Sequence, residues 1–171
     1  MDNIQIIQLP PERWKEYRDI RLEMLLKDPQ AFGQRYEKSL NDSDSKWKER
    51  LEASQKQDKI IILFAENNGK LVGTIGAFFN STEDTQDSAQ IFSVYVNEDY
   101  RGLGIAKRLQ DQLLSQLKNL DLVKVRVMVN KTQIAAVNLY TQGGFKLLKT
   151  EKRVLGDGKE YEVDTLEQAL H

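Results

Sequence analysis

The chain has 171 residues, 40% of them apolar and 30% charged, with a formal net charge of −1. That is the make-up of one ordinary globular domain, with no electrostatic pull toward nucleic acid or an anionic membrane. Cysteine is absent and the only histidine is His171, which excludes disulfides and a thiol nucleophile and argues against a Ser-His-Asp relay or a histidine-rich metal site.

No apolar run is long enough to span a bilayer, and the start MDNIQIIQLPPERW lacks a signal peptide's basic and apolar segments; cytoplasm is the expected location. Residues 4–9 read as a short strand. Pro10 and Pro11 then open a helix toward Lys27, with Trp14, Tyr17, Ile20 and Met24 at helical spacing, and Asp28-Pro29 stops it. A second helix is predicted over residues 46–53, with Asp44 or Ser45 as its cap and Trp47 and Leu51 on one face. Residues 59–66 (KIIILFAE) and 70–79 (KLVGTIGAFF) form a hairpin, since Asn68-Gly69 between them suits a tight primed turn. The polar stretch NSTEDTQDS that follows is a loop or another hairpin end; its Glu83, Asp84 and Asp87 either attract a cationic amine or simply face solvent.

A fourth strand covers residues 89–96. Ile105, Leu109, Leu113 and Leu117 recur every fourth residue, an amphipathic helix facing a sheet. Val123, Val125, Val127 and Val129 mark a strand with one apolar face. Residues 132–141 predict a short helix ended by Gly143-Gly144, and residues 145–155 and 159–166 a last hairpin around Asp157-Gly158. With no repeat and no linker, this order predicts a single α/β domain with helices on the faces of a mixed sheet.

The segment YRGLGIAKRL, residues 100–109, sits between the fourth strand and the amphipathic helix. The first turn of a helix carries backbone N–H groups without partners, at the electropositive end of the peptide dipoles. Gly102 and Gly104 would let a phosphate approach those groups, Ala106 is the next smallest choice, and Arg101 adds charge. The residues alone leave open a second reading, a flexible turn before a solvated helix face. The segment is neither a Walker loop nor a dinucleotide fingerprint, because the G-x-x-x-x-G-K-[ST] and G-x-G-x-x-G spacings are missing.

Arg101-Gly102-Leu103-Gly104-Ile105-Ala106 is similar to the acetyl-CoA motif of the GNAT superfamily of N-acetyltransferases: Arg or Gln, two residues, Gly, one residue, then Gly or Ala. The lead-in SVYVNEDYRG resembles that family's fourth strand and turn. VNKTQIAAVNLYTQGGF resembles its later segment at Ala136, Leu139-Tyr140 and Gly144-Phe145, with Gln133 standing where many members have Asn. RLEMLLKDPQAFG and DGKEYEVDTL are similar to the first helix and the closing hairpin of one large subgroup.

The resemblance implies the family's fold, a twisted, mostly antiparallel sheet of six to seven strands flanked by about four helices. It implies acetyl-CoA as co-substrate, no metal, and direct attack of an amine on the thioester. The amides of Arg101, Gly102, Leu103, Gly104, Ile105, Ala106 and Lys107 would hold the pyrophosphate. Backbone groups of Val94, Tyr95 and Val96 would align the pantetheine arm, with Gln133 and Tyr140 alongside. A β-bulge in the fourth strand would splay it from the fifth and free the N–H of Val96 to polarise the thioester carbonyl. Tyr140 matches the tyrosine that many members use as general acid; its bland reading is packing of a helix on the sheet.

The proton acceptor is not legible. Glu37, Glu66 and Glu98 qualify by position only, and none is nominated. Phe32, Tyr36, Trp47 and Tyr161 are candidate walls of the acceptor pocket. The expected acceptor is the amine of a small molecule or peptide; the alternatives are a protein N-terminus or lysine, or a non-catalytic acyl-CoA-binding module. Homodimers are frequent in the family.

Overall fold

A computed structural model describes residues 3–80, 82–83 and 86–171; Asp84 of the acidic loop lies outside them. The chain runs β1 (Ile4–Ile7), α1 (Trp14–Lys27), α2 (Tyr36–Leu40), α3 (Asp44–Gln55), β2 (Ile60–Asn67), β3 (Lys70–Phe79), β4 (Ser88–Val96), α4 (Ile105–Lys118), β5 (Lys124–Asn130), α5 (Ile134–Gln142), β6 (Lys146–Val154) and β7 (Glu160–Ala169). The seven strands form one sheet in the order β1-β2-β3-β4-β5-β7-β6. Every neighbouring pair is antiparallel except β4–β5, which α4 connects in parallel.

β2 explains the layering. Its apolar run is continuous because both faces are covered. Ile61, Leu63 and Ala65 point into the core shared with α4 and α5, whereas Ile60, Ile62 and Phe64 point into a second core under α1 and α3. The hairpin to β3 turns through Asn68 and Gly69, both at positive φ (49° and 83°), as a primed turn requires. α4 buries Ile105, Leu109, Leu113 and Leu117, the stripe read from the sequence.

Four local expectations are corrected. β1 stops at Ile7, where its pairing with Phe64 of β2 ends. The diproline start is a 3-10 turn, Pro11–Arg13, closed by Trp14 N–H on Pro11 O, and the α-helix proper begins only at Trp14. α3 starts earlier than expected and its cap is Ser43, whose extended backbone leaves its hydroxyl free to accept from Lys46 N–H at 3.3 Å; Asp44 and Ser45 lie inside the helix. α2 brings the helices to five; at five residues it is too short to show a period in sequence.

Candidate active site

The sheet forks at its parallel pair. β4 and β5 are in register only from Ser88↔Lys124 to Ile91↔Val127. Beyond that point β4 stays with β3 up to Val96, and β5 stays with β7 up to Asn130. The cause lies in β4. Gly76 pairs with Phe92 and Thr74 with Tyr95, so Ser93 and Val94 together oppose the single residue Ile75. This is a β-bulge, with Ser93 at φ 56°. Asn97 N–H donates to Val72 O at 2.8 Å. Donors alternate along an antiparallel edge, so the N–H of Val96 faces away from β3 and toward the gap that β5 vacates.

Between the diverging strands lies a cleft of about 400 Å³. The start of α4 closes one end. Gly102 and Gly104 sit at φ 78° and 79°, the left-handed region that costs an ordinary residue about 1–2 kcal/mol. A Cβ on either would meet no protein atom within 4 Å, so backbone conformation, not crowding within the fold, demands glycine here. Gly104 is the N-cap and offers no side-chain bond, which leaves the amides of Ile105, Ala106 and Lys107 without capping partners. Gly102, Gly104, Ile105, Ala106 and Lys107 all line the cleft. Leu103 does not; its side chain is 64% exposed, so only its amide belongs to this turn.

Arg101 lines the cleft, but its guanidinium is turned from the helix start toward the fork. Its Nε donates to Val96 O at 2.9 Å and its Nη2 to Asp28 at 2.7 Å. It thus clamps the end of β4 to the end of α1 instead of adding a free charge to the glycine turn. The Nζ of Lys107 is on Asp111 at 2.5 Å. Whatever anion this turn receives is therefore met mainly by backbone N–H groups.

Val94, Tyr95 and Val96 edge the cleft on one side, and Gln133 and Tyr140 on the other. The Tyr95 ring belongs to the opposite core, beneath α1, so only its backbone is available to the cleft. Gln133 is the first residue before α5 and makes no side-chain cap bond. The Tyr140 ring is buried edge-on against Phe145, centroids 5.6 Å apart. Burial pushes its phenol well above the ordinary value of 10.0, so the hydroxyl keeps its proton throughout the neutral range. The position packs α5 on the sheet and presents a protonated phenol to the cleft.

A second cavity of about 260 Å³ adjoins the fork and shares Phe32, Phe92 and Ser93 with the first. Of the four aromatics expected to wall an acceptor pocket, Phe32 alone lines this cavity. Trp47 is fully buried beneath it, edge-on to Tyr17 at 5.1 Å. Tyr36 packs on the same core without lining the cavity. Tyr161 bonds Asp157 at 2.5 Å within its own turn. The last hairpin contributes through Gly156, whose N–H holds Phe32 O at 2.8 Å and so fixes the loop after α1.

Glu66 and Glu98 are taken by Arg13 and Lys27, and Glu37 is exposed; none lines either cavity. The residues that sequence reading missed are Arg21, Gln34, Arg50 and Ser93 around the smaller cavity, and Asn130, whose Nδ2 ties the β5 side of the fork to Gln30 O at 2.9 Å. The one signal for Arg21 was its place in the stripe Tyr17, Arg21, Met24, where a charge interrupts an otherwise apolar face.

A mixed sheet forked at a bulge, with a glycine-opened helix start at the fork, is the frame of acyl-CoA-dependent acyltransferases. The model of the acetyltransferase (GNAT) family matches residues 14–145, and the chain belongs to that family. Among solved structures it is similar to an acetyltransferase of the GNAT family from Streptococcus pneumoniae, with a TM-score of 0.87, 17% identity, and 99% of this chain and 100% of that one covered. It is also similar to yncA, a putative acetyltransferase from Salmonella typhimurium solved with acetyl-CoA, at a TM-score of 0.83 and 17% identity over 99% and 95% of the two chains. Among characterised sequences it resembles the ribosomal protein bS18-alanine N-acetyltransferase of Escherichia coli, 27% identical over 58% of this chain and 64% of the relative. The match thus spans less than two thirds of that relative's length.

Proposed function

We propose that the protein is an acetyl-CoA-dependent N-acetyltransferase that carries acetyl directly to a primary amine of a small molecule or peptide, with both reactants bound at once. The observation that carries this reading is the fork: its unpaired edge, the bare amides at its end and a protonated phenol line one cleft. Acetyl-CoA supplies an activated acetyl thioester, and the residues present fit it. The turn at Gly102 and Gly104 offers main-chain donors to a diphosphate. The free edge of β4 at Val94 and Val96 offers ladder groups to an amide-bearing arm, as an added strand would use them.

The N–H of Val96 is preplaced for a carbonyl oxygen that gains charge, a contribution worth about 3 kcal/mol of barrier. The Oη of Tyr140 holds the proton that the departing sulfur needs. Among the described residues no carboxylate lines the smaller cavity, and Asp28 of the larger one is held by Arg101, so the acceptor ammonium sheds its proton to water. The likeness to the bS18-alanine enzyme favours a second reading, a protein N-terminus as acceptor.

Tyr140→Phe tests the chemistry. The expected result is a fall in kcat of about 100-fold with CoA affinity unchanged by calorimetry. In the wild type the rate rises with pH as the acceptor ammonium deprotonates. Because burial raises the Tyr140 phenol, its ionisation causes no downturn below about pH 10. An unchanged kcat in the variant across the pH series refutes the acid role.

A further inference from the structure

The smaller cavity holds a buried cation without a matching anion. Arg21, on the inner face of α1, is 9% exposed. Its Nη1 donates to the Ser93 hydroxyl and its Nη2 to the side-chain oxygen of Gln34, both neutral acceptors, while its Nε is buried with no partner. A second guanidinium, Arg50, lines the same cavity with its Nη1 buried and unpartnered. The carboxylate whose charge reaches Arg21 is Asp42, and it already receives Lys46 at 2.8 Å and Arg50 at 3.3 Å. Its own burial works against ionisation, but the Lys46 bond and the Arg50 charge outweigh that and hold its carboxyl below the usual range. Lys46 and Arg50 thus occupy Asp42, and among the described residues no carboxylate is bonded to Arg21.

Burying an arginine costs several kcal/mol unless an anion meets it, and its planar fork matches a carboxylate or a phosphate through paired bonds. In a cavity this small with apolar walls, the carboxylate, smaller and singly charged, is the one that fits. The remaining walls, among them Met24, Phe32, Ile60 and Phe92, are apolar. The cavity lies below the roughly 300–1,000 Å³ usual for drug-sized ligands. Ser93, the residue Arg21 grips, is the bulge residue whose geometry opens the fork. Resting on the acetyltransferase reading above, we propose that the acceptor is a small amine bearing a carboxylate and an apolar side chain, an amino acid in chemical class. Its carboxylate is held by Arg21 with support from Arg50, and its amine faces the fork past Ser93. In the transfer, the ammonium gives one proton to water, and its nitrogen then forms the bond to the acetyl carbon. The carbon–sulfur bond breaks with its electron pair on sulfur, which takes the Tyr140 Oη proton, and the second proton of the nitrogen returns through water to the Tyr140 oxygen.

The test pairs each of three amino acids (leucine, methionine, phenylalanine) with its decarboxylated amine, and adds spermidine and an alanine-started peptide, with release of CoA thiol as the readout. Calorimetry of leucine against the protein saturated with CoA runs alongside. The expected result is a kcat/KM at least about 100-fold higher for each amino acid than for its decarboxylated partner. Arg21→Gln should then raise the amino acid KM at least about 30-fold and cut the preference for each amino acid over its decarboxylated partner to within about threefold; a preference that survives the substitution overturns the inference. Equal turnover of the decarboxylated amines, or a preference for spermidine or the peptide, overturns the inference and leaves the transferase reading standing. Leucine binding without turnover of any amine refutes the transferase reading and overturns the acceptor role with it, leaving only a carboxylate-binding site at Arg21. If leucine neither binds nor reacts, the inference is overturned. Should Arg21→Gln fail to fold, the paired substrates on the wild-type enzyme still decide the matter.

Discussion

The two cavities on either side of Ser93 are built from different material. The larger one, between β4 and β5, takes its shape from main chain, namely a bulge, a free strand edge and the bare amides that open α4, with the Tyr140 side chain as the exception. The smaller one, under α1, is made of side chains drawn from α1, the loop after it, α3 and the strands β2, β3 and β4. The difference teaches where tolerance should lie. A site made of backbone resists side-chain change but fails when a φ angle is denied. A site made of side chains fails one residue at a time.

Experiments can break that contrast, starting with the largest effect. Trp47→Ala empties a fully buried position beneath the side-chain cavity; thermal or chemical melts should record a loss of about 3–5 kcal/mol. A loss below 1 kcal/mol would mean that the scaffold of that cavity is not rigid. Gly104→Val places a branched residue at φ 79° in front of the helix start. Calorimetry should give CoA binding about 100-fold weaker, or about 2.7 kcal/mol, with the circular dichroism spectrum retained. Arg101→Ala removes the half-exposed clamp to Asp28. Its expected cost in stability is within 1 kcal/mol, and a larger fall in CoA affinity would show a role for the guanidinium that its present contacts do not give it. Leu103→Ala should be the quietest change, within about 0.5 kcal/mol in melts and twofold in CoA affinity, because only its amide belongs to the site.

The same contrast accounts for what the sequence made legible. A backbone site leaves its mark in contiguous residues, since positive φ calls for glycine at set positions; Gly102 and Gly104 could be read without a structure. The strands declared themselves through the β2–β3 hairpin and the valines of β5, and α4 through its leucine stripe. Residues 17, 21, 34, 50 and 93 are scattered, and nothing local says that they meet. Trp47 and Phe32 looked alike as aromatics, yet one is core and the other is wall. Only packing separates them. The direction of the Arg101 side chain was illegible for a similar reason, since its partner Asp28 lies 73 residues away.

The central claim is that main-chain amides at the fork, and not side-chain charges, receive the CoA diphosphate. Titrating 15N-labelled protein with CoA measures this directly. The account expects the amide resonances of Gly102, Gly104 and Lys107 to move furthest, with Val96 following when acetyl-CoA replaces CoA. Saturated binding with those four resonances unmoved would contradict it.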